Sequence, residues 1–171
     1  GDATGVGEPE SLRNFGVRGP AEFRLRLRSK ARAANPFVPY HLVTELTPYQ
    51  GKVEFEPNDQ RLEATPLEGD MIGGTIAPAG DSDWYRIAFP TDTQRLLRAD
   101  LSAPAGMDLQ LAVMDDVGNA LLAVDNMGRE QPEVLTGIAA RPELYLVVSE
   151  KSGKRADVKA AYTLTRQVSD W

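Results

Sequence analysis

The chain has 171 residues, enough for one domain of ordinary size and part of another, and its 42% hydrophobic and 26% charged residues are typical of a globular protein. It has no cysteine, which excludes disulfides, thiolate metal sites and cysteine nucleophiles, and it has no run of about 18 apolar residues that could span a membrane. Residues 51–171 hold twelve basic and twenty acidic side chains, and this acidic balance argues against nucleic acid as a partner.

The first fifty residues are slightly basic, with seven Lys/Arg against five Asp/Glu, and two strands are predicted in them. In the first strand, Phe23, Leu25 and Leu27 alternate with arginines, which is the pattern of a half-buried strand with one basic face. The second strand covers residues 40–46. It contains the single histidine, which we interpret as structural because no acid or nucleophile lies at a suggestive spacing. Residues 47–53 are predicted to be a linker.

Two acidic stretches follow the linker, and each carries an i, i+2 pair of carboxylates. Glu54 and Glu56 precede Pro57, which favours an extended conformation for the residue before it. Side chains two apart on an extended segment share a face. Asp81 and Asp83 repeat this spacing at the start of a strand. If the fold brings the stretches together, they collect several of the oxygen ligands that Ca²⁺ requires, roughly six to eight in number. On spacing alone, the alternative is that these acids are simply solvated.

Eight short strands are predicted after the acidic segment at residue 54. Apolar and polar residues alternate along them, as at Leu109, Leu111 and Val113, and prolines mark their boundaries. The predicted strands cover residues 71–77, 84–89, 95–101, 108–114, 120–124, 133–136, 144–149 and 161–168. The predicted core consists of Tyr85, Ile87, Leu109, Leu111, Val113, Leu146, Val148 and Leu164. This pattern, with no convincing helix, predicts an all-β fold, an antiparallel β-sandwich of the jelly-roll type.

An internal repeat links the two ends of the chain, because residues 2–46 match residues 125–168 as an ordered series. The matched pairs include Pro9 with Pro132, Glu22 with Glu143, Leu25 with Leu146 and Tyr40 with Tyr162. Chance similarity between β-rich segments is the alternative, and the order of the matches disfavours it. We therefore predict a tandem repeat with a truncated first copy. Residues 1–46 would be the C-terminal part of a first sandwich, and residues 54–171 a complete one.

The truncated copy leads to an expectation about its missing strands. Residues 2–46 contain only closing strands, whose apolar face and edges need partners. The opening strands would lie upstream of Gly1 in the same polypeptide or come from a neighbouring subunit by strand addition, and the first source is favoured. The chain would then be a segment of a longer surface protein.

Several stretches together resemble the bacterial pre-peptidase C-terminal domain family. The resemblance rests on Glu56-Pro57-Asn58-Asp59, Gly-Thr-Ile at 74–76, and residues 78–85, 107–111, 116–118 and 162–164. It covers residues 52–168 in full and 2–46 as the latter part of another copy. The resemblance implies a jelly-roll β-sandwich, in most members without catalytic activity, beside other domains of secreted or surface proteins.

The same family is similar to the collagen-binding domains of bacterial collagenases, in which an acidic segment with the pattern Glu-x-Glu-x-Asn-Asp binds Ca²⁺. This pattern matches residues 54–59, and Asp81 and Asp83 lie where the second acidic cluster of those domains is found. The implied calcium ligands are Glu54, Glu56, Asn58, Asp59, Asp81 and Asp83. The resemblance does not imply collagen binding for this chain, because the aromatic surface that binds collagen has no residue-by-residue match here.

The sequence bears on three kinds of function. The favoured one is a non-catalytic extracytoplasmic module (secreted, periplasmic or on the outer cell surface) that contacts other domains or subunits of a larger protein. The alternative is a module that binds a polysaccharide or an extracellular protein. Its candidate aromatic residues are Trp84, Tyr85, Tyr145 and Tyr162. An enzyme is not expected, although paired carboxylates occur in glycoside hydrolases, because catalytic triad, phosphate-loop and zinc motifs are missing from the sequence.

Overall fold

A computed structural model of the chain describes residues 9–17, 22–29, 34–90, 94–125 and 128–170. The chain divides into two compact units. The larger unit combines Gly1–Gly16 with Gly51–Trp171, and the smaller unit is Val17–Gln50. These boundaries differ from the predicted ones, since residues up to Gly16 group with the larger unit. Within the described residues, no helix has the length and apolar character needed to cross a membrane.

The larger unit is built from nine strands and one short 3₁₀ turn, Arg61–Glu63, in its described part. The strands are β1 (Thr65–Pro66), β2 (Met71–Gly74), β3 (Ser82–Ala88), β4 (Arg95–Leu101), β5 (Leu109–Met114), β6 (Ala120–Val124), β7 (Glu133–Ala139), β8 (Glu143–Glu150) and β9 (Tyr162–Asp170). One sheet has the order β1-β3-β8-β5-β6 and the other β2-β9-β4-β7. All neighbouring strands are antiparallel except β1 and β3. The predicted antiparallel β-sandwich is confirmed.

The core is a single apolar cluster to which both sheets contribute. Every residue of the predicted core is buried, because alternate residues of each strand face the opposite sheet. In β3, for example, Asp83, Tyr85 and Ile87 are buried while Arg86 and Ala88 are exposed. This alternation places a carboxyl group on the inward face of β3, in line with the apolar core.

The smaller unit does not contain the strands that its sequence pattern predicts. Its described residues, 22–29 and 34–50, have no strand, so both strand predictions are wrong for this structure. The side chains of Phe23, Leu25 and Leu27 are between 46% and 59% exposed. An alternating pattern produces a stable strand only where a sheet covers its apolar side chains, and here these side chains remain about half exposed.

Candidate metal centre

The fold brings the two acidic stretches together. Carboxylate oxygens of Glu54, Glu56 and Asp83 lie within 4.8 Å of one another, and so do oxygens of Glu56, Asp59 and Asp81. Glu56 belongs to both groups. The two i, i+2 pairs identified in the sequence thus meet at one place in the described structure.

Glu54 is placed by pairing of its backbone with the edge of a sheet. Val53 and Gly73 of β2 form a parallel bridge, and the Glu54 N–H donates a 2.9 Å hydrogen bond to the Gly73 carbonyl. The Gly73 N–H in turn donates to the Lys52 carbonyl at 3.0 Å. The acidic segment therefore extends the sheet next to β2, which directs the Glu54 side chain inward, where it is buried.

The other members are placed by a turn and by β3. The carboxylate of Asp81 accepts hydrogen bonds from the backbone N–H groups of Ala77, at 2.6 Å, and Ser82, at 2.9 Å. Asn58 is held from both sides, because its N–H donates to Glu56 Oε2 at 3.1 Å and its carbonyl accepts from the Trp84 N–H at 3.0 Å. These bonds fix the turn on either side of the carboxylate cluster.

Two buried tyrosines from facing strands complete the centre. The Tyr85 hydroxyl, on β3, donates to Glu54 Oε2 at 2.8 Å, and the Tyr162 hydroxyl, on β9, donates to Asp83 Oδ2 at 2.6 Å. The two hydroxyl oxygens are 2.5 Å apart. The other oxygen of Glu54 accepts from the Thr75 N–H at 2.5 Å. The carboxylates are thus oriented by donors contributed by both sheets.

Tyr85 was predicted in the core, and both tyrosines were candidates for ligand binding, but a link between their hydroxyls and the acids was not predicted. A signal was present for Tyr85, which lies two residues after Asp83 and so shares its face of β3. No local signal connects Tyr162 with Asp83, because their proximity depends on how the two sheets pack. Gly74 belongs to the Gly-Thr-Ile stretch at 74–76, and its closeness to the acids is not evident from the sequence. A Cβ atom at Gly74 would lie 2.4 Å from both Glu54 Oε2 and the Tyr162 hydroxyl, so the network leaves room only for glycine.

Several polar atoms of the centre are buried without a hydrogen-bond partner. They are Glu56 Oε1, Asn58 Oδ1, Asn58 Nδ2 and Asp83 Oδ1. The residues Asn58 and Asp83 are 0% exposed. Buried polar atoms in native proteins are nearly always paired, and an unpaired one costs about 1–3 kcal/mol. Three of these four atoms are oxygens with free lone pairs, which is the chemistry that a hard cation accepts.

The electrostatics of the centre are those of buried like charges. Burial, with the nearby Asp81 and Glu54, raises the pKa of Glu56 to about 8. Burial and the charges of Glu54 and Asp81 raise the pKa of Asp83 to about 10. Burial also raises the pKa of Glu54, against the hydrogen bonds that it accepts. Each of these carboxyls retains its proton more strongly than in solvent, unless a cation offsets the charge.

The candidate aromatic residues do not form a binding platform. Tyr85, Tyr145 and Tyr162 are buried, and Trp84 is partly buried. Trp84 contacts Tyr145 edge-on, with ring centroids 5.9 Å apart and ring planes at 63°. An exposed coplanar pair, which would favour a carbohydrate-binding module, is not formed by these four residues.

Solved structures similar to the chain include a domain of a bacterial collagenase. No protein-family model matches the chain, and no curated protein matches it. The chain is similar to the pre-peptidase C-terminal domain of a collagenase from Bacillus anthracis, with a TM-score of 0.44 and 12% sequence identity. The match covers 72% of this chain and 100% of that domain. Similarity at this level does not assign the chain to a family.

Proposed function

We propose that the chain is a non-catalytic β-sandwich module of a larger extracytoplasmic protein, and that its acidic centre binds Ca²⁺. The proposed ligands are Glu54, Glu56, Asn58, Asp59, Asp81 and Asp83. The bound ion would hold the segment before β1 and the turn before β3 together. The ion would thereby stabilise the module, which supports or attaches neighbouring domains.

The observation that carries this proposal is the buried Oδ1 of Asp83, which has no hydrogen-bond partner in a residue that is 0% exposed. Oδ2 of the same carboxyl accepts the Tyr162 hydroxyl, so the side chain is held with Oδ1 free to coordinate. A water-filled surface cluster of acids would not need such orientation. In an ion-binding site, such orientation increases affinity because less ordering remains to be done when the ion binds.

The chemistry of the donor set favours Ca²⁺ over other common ions. All six side chains offer oxygen, which suits a hard cation, whereas Zn²⁺ in proteins prefers histidine and cysteine. Mg²⁺ usually keeps several waters and takes only one or two carboxylates. The five carboxylates and one amide of this cluster, several of them buried, match the higher ligand number and flexible geometry of Ca²⁺ sites.

Titration calorimetry tests the proposal. The protein is treated with EDTA, dialysed and titrated with CaCl₂, and parallel melting curves are recorded with and without millimolar Ca²⁺. We expect a saturable heat of binding and a higher melting temperature, since an ion that binds only the folded state stabilises it. Asp83→Asn should abolish both effects, whereas Asp100→Asn, a matched change at an Asp paired with Arg98 outside the centre, should retain them. Wild-type protein with neither effect would overturn the proposal.

The internal match supports a tandem arrangement as a further part of the proposal. In the complete sandwich, Leu146 and Val148 are fully buried on β8, between β3 and β5. The matching Leu25 and Leu27 are more than half exposed. Because residues up to Gly16 group with the larger unit, we propose that the part of the predicted first copy after Gly16, residues 17–46, belongs to a first sandwich whose strands like β3 and β5 lie elsewhere in the larger protein. Amide exchange at residues 23–28 should then be slow in the intact host protein and fast in the 171-residue chain. Fast exchange in both would contradict this.

A further inference from the structure

We infer that residues 14–16 are part of the cation site, as a backbone strap that positions Glu56 and whose attachment is coupled to the ion. The inference rests on the proposed function, because it assigns a positioning role at the same site. The strap lies some forty residues before the acidic segment in sequence, and no motif connects the two.

The strap engages the backbone of Glu56 on both sides of Phe15. The Glu56 N–H donates a 2.7 Å hydrogen bond to the Asn14 carbonyl, and the Gly16 N–H donates a 2.6 Å hydrogen bond to the Glu56 carbonyl. Phe15 and Glu56 accordingly form a parallel bridge. Both backbone polar groups of this one ligand residue are therefore paired with the strap.

The sequence of the strap suits this close approach. A Cβ atom at Gly16 would lie 2.4 Å from Cδ2 of Phe55, a separation that real Cβ atoms do not adopt, so any other residue here would force Phe55 or the strap to shift. Asn14 has a φ of 57°, in the left-handed region that asparagine tolerates better than most residues. The local conformation on either side of Phe15 is thus set by residues that permit it.

Glu56 is the ligand for which such positioning matters most. It belongs to both groups of clustered carboxylates, and its Oε1 is buried without a hydrogen-bond partner. Glu54 is anchored to β2 through Gly73, whereas the backbone of Glu56 is held by the strap. Fixing that backbone holds the Glu56 carboxylate among the other carboxylates.

The coupling must act in both directions. If the strap increases the affinity of the site for the ion by a given factor, the ion increases the stability of the attached strap by the same factor. The strap is therefore attached more stably when the site holds the ion than when it is empty. It is also followed directly in sequence by the unit that begins at Val17.

Two glycine variants test the inference in the full chain. Gly16→Ala places a methyl group against Phe55 and should displace the strap, whereas Gly69→Ala adds the same atom where nothing lies within 4 Å. In calorimetric titrations with CaCl₂, Gly16→Ala should bind Ca²⁺ about fivefold or more weakly than wild type, and Gly69→Ala should match wild type. Equal affinity in the two variants would overturn the strap.

Amide exchange in the wild-type protein gives a second measurement that does not depend on any variant folding. Exchange of the Gly16 and Glu56 amides should slow about fivefold or more when CaCl₂ is added. The Ala140 amide, which donates to the Arg95 carbonyl beside β7, at the opposite edge of the sheet from β2, should not change. Unchanged exchange at Gly16 and Glu56, with Ca²⁺ bound by calorimetry, would overturn the strap and leave the site intact. Wild-type protein that does not bind Ca²⁺ would instead overturn the site itself.

Discussion

The hydroxyl of Tyr162 donates a hydrogen bond to Oδ2 of Asp83 and leaves Oδ1 of the same carboxyl buried without a partner. Tyr85 donates its own hydroxyl proton to Glu54. Burial of several carboxyls side by side favours a proton on at least one of them in the ion-free centre. This agrees with the raised pKa values of Glu54 and Asp83. A bound cation would take the place of that proton.

Replacing the buried carboxylate by its amide should stabilise the ion-free protein. At pH 8, Asp83→Asn should raise the free energy of unfolding in EDTA by about 1 kcal/mol, because it removes a buried group whose charged form is opposed by neighbouring carboxylates. Urea unfolding followed by circular dichroism measures this. Asp100→Asn serves as control and should change stability little. A less stable Asp83→Asn protein in EDTA would show that the carboxylates do not repel one another.

The stability of the ion-free protein should fall as the pH rises. The pKa of Glu56 is raised from 4.5 to about 8 and that of Asp83 from 3.8 to about 10, so the folded state binds protons that the unfolded state has released. This contribution is complete below about pH 4 and is lost as the pH approaches the folded-state values. Ca²⁺ removes the need for these protons. The difference in melting temperature between calcium and EDTA samples should therefore widen from pH 5.5 to pH 8. A constant or narrowing difference would contradict the proposed centre.

A methyl group at Gly74 should disrupt the network at its centre. The added Cβ would lie 2.4 Å from Glu54 Oε2 and from the Tyr162 hydroxyl, both of which are buried and held by other bonds. Gly74→Ala should therefore cost about 1–3 kcal/mol of stability, as overpacking does. Chemical denaturation against Gly69→Ala, which has open space around the new atom, measures the difference. Equal stability of the two variants would mean that Glu54 and Tyr162 can move aside at little cost, which contradicts the prediction.

The core of the sandwich can be tested at β5. Leu111→Ala removes a side chain that is fully buried between the sheets and should cost about 2–5 kcal/mol. Leu62→Ala makes the same change in the 3₁₀ turn, where the leucine is 78% exposed, and should cost well under 1 kcal/mol. The denaturation midpoints of both variants, compared with that of wild type, measure these losses of stability. Similar losses at the two positions would be incompatible with this core.

Much of the sandwich could be predicted from alternation alone. The bounds of β4 and β6 agree with the prediction, and the other long strands differ by a few residues at their ends. The strand β1 was missed because it has two residues, Thr65 and Pro66, and exists through a parallel pairing with β3 that no local pattern indicates. Residues 23–28 show the opposite failure. Their apolar and polar residues alternate regularly, so a strand formed here would be amphipathic. A strand also needs neighbouring strands to pair with, and the alternation does not show whether these are present.

The acidic residues of the candidate centre could be predicted from the sequence, but the residues that hold them in place could not. The spacing of Glu54 with Glu56 and of Asp81 with Asp83 pointed to shared faces, and the structure brings these residues together. Tyr162 joins them because β9 and β3 face each other across the core. The strap at residues 14–16 joins them through backbone hydrogen bonds, which leave no trace in side-chain patterns. Long-range packing of this kind is what single-sequence reasoning lacks.

A crystal structure of the protein grown in millimolar CaCl₂ tests the central claim most directly. We predict an ion with about six to eight oxygen ligands at about 2.3–2.6 Å, Asp83 Oδ1 and Glu56 Oε1 among them. Its identity would be established by anomalous scattering. A centre that contains only water at saturating Ca²⁺, with Asp83 Oδ1 hydrogen-bonded to it, would contradict the account.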